Sequence, residues 1–105
     1  MNNMTGDVKF CAILTMRYMN KSLMQSCHDY IASHMPPPPK GLIAMRSFHI
    51  APDRGMSLCY FDTNENLNAA FPSLKEFQQR VAEKFEAKAD AQKAITSSQS
   101  DFGDC

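Results

Sequence analysis

The chain lacks a charge of either sign in excess: eleven Lys and Arg are cancelled by eleven Asp and Glu. A balance of this kind removes the usual electrostatic warrant for a nucleic-acid partner. It also lacks long apolar runs. Nothing approaches the roughly 20 residues of a membrane span, and Cys11-Ala12-Ile13-Leu14 is too short for the apolar region of a secretory signal. Neither export nor a membrane partner is expected, which leaves the cytoplasm. The four cysteines, Cys11, Cys27, Cys59 and Cys105, include no C-x-x-C pair, and in that compartment they are expected as free thiols. Nucleophile elbows of the G-x-S-x-G type and phosphate-binding glycine loops are missing as well. His28 and His34 stand six apart and point in different directions on a helix, so no metal site and no cofactor is expected.

What is present is enough for one domain over residues 1–105 with one modest core, at 44% hydrophobic and 21% charged residues. From Val8 the pattern alternates: Val8, Phe10, Ala12, Leu14, Met16 and Tyr18 share one face of a strand, and Lys9, Cys11, Ile13, Thr15 and Arg17 the other. Ser22 and Gln25 have the spacing of a capping box, and Leu23, Cys27, Tyr30, Ile31 and His34 then form one helical stripe. Pro36 to Pro39 ends that helix, because four residues in a row lack an N–H donor. A second strand runs from about Gly41 to Ile50 and a third from Met56 to Asp62. Ala51 to Gly55 reads as the hairpin turn between them, with Gly55 in the position that favours a positive φ.

The last long stripe is Leu67, Ala70, Phe71, Leu74, Phe77, Val81 and Phe85. Pro72 should kink or split it, with Ser73 and Glu76 offering a new capping box. The core spans about 8–88. Residues 89–105 read as a weakly structured tail or a fourth strand near Ala94 to Gln99.

Strand, helix, strand, hairpin, strand, helix and an optional strand give an α+β, ferredoxin-like β-α-β-β-α-(β) plan with an antiparallel sheet. Right-handed connections put both helices on one face. Both strand faces are apolar, however. One carries Leu14, Met16, Leu42, Phe48 and Leu58, the other Ile13, Ile43, Met45, Cys59 and Phe61. Two helices cover only one of them. Covering roughly 500 Å² of the other is worth on the order of 10 kcal/mol per subunit before association costs. A second copy is the expected cover.

Length, element order, two-faced strands and a split second helix together resemble the dimeric α/β-barrel group of ferredoxin-like proteins, antibiotic-biosynthesis-monooxygenase-like domains among them. The resemblance covers about Val8 to Phe85 and lies in architecture. It implies two facing sheets around a cavity for apolar small molecules. Some members oxidise aromatic polyketides without a cofactor, and others degrade haem using a Trp and an Asn. This chain has no Trp, which argues against haem degradation.

By alternation Met45, Ser47 and His49 share a face, and Thr15, Arg17, Cys59 and Phe61 are expected to look the same way. Together they would form an apolar pocket with a few polar groups. His49 is the expected acid or base, with Arg17 or Tyr60 positioning a substrate. Eight methionines suit a wall that repacks around an amphipathic, acyl-chain-like molecule with its polar end near Arg17, Arg46 or His49. A carrier or sensor without catalysis is the alternative. An RNA-recognition module is a third: Arg54-Gly55 to Phe61 resembles its third-strand signature, but Met56 and Leu58 replace the central stacking aromatics.

Overall fold

In the computed structural model, which describes residues 10–98 and 100, the alternating N-terminal segment forms strand β1, Phe10–Arg17. Val8 and Lys9, where the strand was expected to start, lie outside the described residues, as do Gln99 and the tail 101–105. Helix α1 follows (Lys21–His34), then β2 (Leu42–Ala51), β3 (Arg54–Phe61), helix α2 (Asn64–Lys84) and β4 (Lys88–Ile95). The four strands form one antiparallel sheet in the order β2-β3-β1-β4. This is the expected β-α-β-β-α-β plan with its last strand in place.

β4 begins six residues earlier than expected. Its sequence, Lys-Ala-Asp-Ala-Gln-Lys-Ala-Ile, has little strand propensity, and pairing with all eight residues of β1 stabilises it instead. The β2–β3 hairpin is tighter than expected, leaving only Pro52 and Asp53 between the strands. Gly55 therefore lies within β3. Of the two described glycines it is Gly41 that has a positive φ, at 86°, where an added Cβ would come within 2.6 Å of Asn66 and Asp62.

Both helices lie on the face of Ala12, Leu14 and Met16. α2 runs along it and buries Leu67 and Ala70 against Ala12, Cys59 and Phe61. Val81 and Ala82, nearer its end, meet Met24 and Cys27 of α1 over Met16 and Tyr18. α1 is capped by Asn20, whose side chain accepts from the Leu23 amide at 2.8 Å, not by the expected Ser22. Nor does Pro72 split α2, which continues through it. Pro72 and Asn68 are both exposed, so water can meet the Asn68 carbonyl that a proline leaves without its helical donor. Thr63 caps α2 through the Asn66 amide at 3.0 Å.

Among the described residues no helix is long and apolar enough to cross a membrane. Cys11, Cys27 and Cys59 are free and buried, while Cys105 lies outside the described residues.

Candidate functional site

Strand register decides which side chains meet, because partners across an antiparallel pair share a face. Rows across β2, β3, β1 and β4 on the helix-free side read as follows. The first is Ala51, Arg54, Arg17 and Lys88; the second is Phe48, Met56, Thr15 and Asp90. Arg46, Leu58, Ile13 and Gln92 form the third, and Ala44, Tyr60, Cys11 and Ala94 the fourth. The centre of this face is thus apolar, built from Met56, Leu58, Ile13 and Phe48, with Phe48 47% exposed. One end is a line of three cations.

At that end Thr15, Arg17, Ile50, Arg54, Met56, Lys88 and Asp90 surround a depression of about 360 Å³, with the backs of Met16 and Ala89 behind them. Irregular pairing between His49 and Ala51 brings Ile50, which is 50% exposed, to the rim. Arg17 stands directly between Arg54 and Lys88, at the roughly 5 Å spacing of cross-strand partners. Like charges so placed repel. None of the three forms an ion pair with a carboxylate among the described residues. The Arg54 Nε is buried without a hydrogen-bond partner.

The expected site residues do not share one face. Thr15 and Arg17 line the depression, as just described. Cys59 and Phe61 are turned the other way and sealed beneath α2, at 1% and 0% exposure. Burial pushes the Cys59 thiol up to about 11, so it stays protonated. Met45 pairs with Cys59, Ser47 with Ser57 and His49 with Gly55, which places all three on the helix-covered side. β2 is an edge strand that the helices incompletely cover: Met45 is 39% exposed, and the Ser47 hydroxyl meets Ser57 at 3.0 Å.

The error has one physical cause. Period-two alternation groups residues within a strand, but only the pairing register says which groups on different strands coincide. The irregularity between Leu42 and Ala44 shifts β2 further, so that Leu42 and Met45 lie on the same side. The two apolar groups expected from sequence are mixed accordingly, with Phe48 and Leu58 on the free face and Leu14, Met16 and Leu42 on the covered one.

His49 meets a residue the sequence did not pair with it. Its ring stacks on His28 of α1, with centroids 4.8 Å apart and the planes inclined by 25°, and its Nε2 lies 3.3 Å from His28 Nδ1. Tyr18 stands edge-on to His28 and donates its hydroxyl to Cys27 Sγ at 3.4 Å. Burial, and secondarily the charge of His49, lowers the His28 pKa against a smaller opposing effect of Asp29. This cluster lies across the sheet from Arg17 and Tyr60, the residues expected to work beside His49. Among the described residues no three His, Cys, Asp or Glu side chains converge as metal ligands.

Sequence reasoning missed Arg54 and Lys88. Arg54 was assigned to the turn and Lys88 to the end of order. Starting the third strand two residues earlier, as the Arg54-Gly55 to Phe61 resemblance does, puts Arg54, Met56, Leu58 and Tyr60 on one face, a signal in the sequence that points to the cationic row.

No family model matches the chain, and no curated protein matches it in sequence. Solved structures do. A dimeric ferredoxin-like protein from an uncultured marine organism has a TM-score of 0.71 at 12% identity, covering 94% of this chain and 96% of that one. The fold is ferredoxin-like. A second dimeric ferredoxin-like protein, also from an uncultured marine organism, gives 0.68 at 14% identity, over 88% of this chain and 98% of its own. A monooxygenase of Streptomyces coelicolor, in complex with the ligand nanaomycin D, gives 0.67 at 9% identity, over 88% and 90%. At these identities the likeness is one of fold.

Proposed function

We propose that the protein is a homodimer joined through its helix-free sheet faces, which hold an amphipathic small molecule between them. The observation that carries this reading is the composition of the uncovered face. Met56, Leu58, Ile13 and Phe48 form an apolar field without a helix above it, and the polar groups gather at one end around a depression. A face of that kind stays wet only at a cost, and a small-molecule site has the same make-up of apolar walls with a few convergent polar groups. The ferredoxin-like neighbours described as dimeric support the assembly. Three buried, unpaired thiols fit a reducing compartment, the cytoplasm.

Native mass spectrometry of the purified protein tests assembly and ligand together. Two chains with a retained small molecule are expected. A single chain at micromolar concentration, with the helix-free face open to solvent, would end the proposal.

A second reading, a cofactor-independent oxygenase, is supported by the fold it shares with the Streptomyces coelicolor monooxygenase and with a cofactor-independent oxygenase of Streptomyces nogalater. On this reading Arg17 and Tyr60, both on the free face, contact the substrate, and His49 is too far round the sheet to serve as its acid or base. Oxygen uptake with quinol substrates separates the readings: turnover favours the oxygenase, and binding without turnover favours the carrier.

A further inference from the structure

We propose that the molecule held on the helix-free face is an anion, its planar carboxylate gripped by Arg54 and Arg17 with Lys88 alongside. This rests on the reading of that face as a ligand-holding surface and adds the chemical class of the ligand.

Three observations converge. Arg54, Arg17 and Lys88 occupy directly opposed positions on three neighbouring strands, an arrangement that repels itself and that no described carboxylate relieves by an ion pair. The Arg54 Nε is buried and has no acceptor. A buried donor without a partner is costly, and the guanidinium fork matches the two oxygens of a carboxylate. Third, the row borders a depression of about 360 Å³ rather than flat surface.

Asp90 is the one acid in that lining, and its Oδ2 accepts from the Gln92 side-chain Nε2 at 3.2 Å along β4. Three cations against one acid leave the depression with an excess of two positive charges. Beyond the head group, Met56 and then Leu58 and Ile13 continue the face in apolar steps of roughly 6.8 Å, two residues of strand at a time. A carboxylate in the first row therefore has apolar wall for roughly 13 Å behind it, comparable to an extended ten-carbon chain or a fused aromatic body.

The test is titration calorimetry on the full chain with two matched pairs, decanoate against 1-decanol and 2-naphthoate against 2-naphthol. In at least one pair the acid is expected to bind ten-fold or more tightly than the alcohol, with an advantage that shrinks as salt is added. Arg54→Gln and, separately, the exposed Lys88→Gln each reduce the acid-to-alcohol ratio at least three-fold. Because each substitution removes one of three mutually repelling charges, neither ligand-free variant melts below the parent. A purely structural Arg54 would instead give a lower melting temperature and an unchanged ratio, which overturns the inference. Equal affinity for acid and alcohol overturns it too, while leaving the ligand-holding face intact. If none of the four probes binds, that face does not hold amphiphiles, and both readings fall.

Discussion

The two faces of this sheet draw on similar residues and come to different ends. On the covered face Ala12, Cys59 and Phe61 lose essentially all contact with water beneath Leu67 and Ala70. On the free face Ile13, Leu58 and Met56 stay half-buried, and Phe48 is more open still. The difference lies less in side-chain hydrophobicity than in what the connections between strands supply. Right-handed crossovers place both helices on the same side, so the second apolar surface of β1, β2 and β3 is left without a helix over it. Charge follows the same division. The row Arg54, Arg17 and Lys88 stands on the free face, where a ligand or a partner can reach it, and the covered face opposite presents Gly55, Met16 and Ala89.

The comparison can be broken from either side. Phe61→Ala on the covered face leaves a cavity between β3 and α2 and should cost about 3–5 kcal/mol in urea denaturation. Retention of parental stability would mean that this face is not the core. Leu58→Asp on the opposite side should leave the subunit folded by far-ultraviolet circular dichroism. It should raise the dimer dissociation constant at least about 100-fold in sedimentation equilibrium, on the order of 3 kcal/mol. An unchanged association constant would place the dimer interface elsewhere.

Smaller effects sharpen the contrast. Thr63→Ala removes the cap of α2, the helix that turns one face into a core, and should cost about 1 kcal/mol by the same denaturation assay. The smallest effect is expected at the margin where α1 meets β2. His28 has a pKa below its ordinary value in the folded protein, chiefly through burial. As pH falls below the usual imidazole range the unfolded chain takes up a proton that the folded chain resists, so stability declines; above that range His28 contributes no slope. The melting temperature should therefore drop between pH 7 and pH 5, and His28→Asn should flatten that drop. His49→Asn, which removes only the lesser cause, should flatten it less. Parallel pH profiles for all three proteins would show that the stacked histidines are not the source.

Much of the fold was legible because its signals are local. Alternation from Phe10 to Arg17, the four prolines after His34 and the apolar stripe from Leu67 to Phe85 each specify an element within a short stretch of chain. β4 was faint because alanine, glutamine and lysine have no preference for a strand, and only the waiting edge of β1 organises them. Pro72 misled for a related reason. A proline costs a helix one hydrogen bond, but α2 packs on the sheet both before and after it, through Leu67 and Ala70 and then Val81 and Ala82. Of the candidate site, Thr15 and Arg17 were readable as polar residues on an apolar strand. Their neighbours were not, since Cys59 and Phe61 proved to point the other way.

By itself, then, the order of residues determined the first three strands and both helices, their sequence along the chain and the fact that those three strands are apolar on both sides. Those properties follow from near neighbours, through dihedral preference, side-chain periodicity and capping. The tertiary structure alone decided which residue of one strand stands beside which residue of the next. That choice buried Phe61, set His49 against His28 and lined up Arg54, Arg17 and Lys88. The reason is that a shift of one residue in pairing exchanges the two faces of a strand, and the energy that fixes the shift comes from helices and strands distant in sequence.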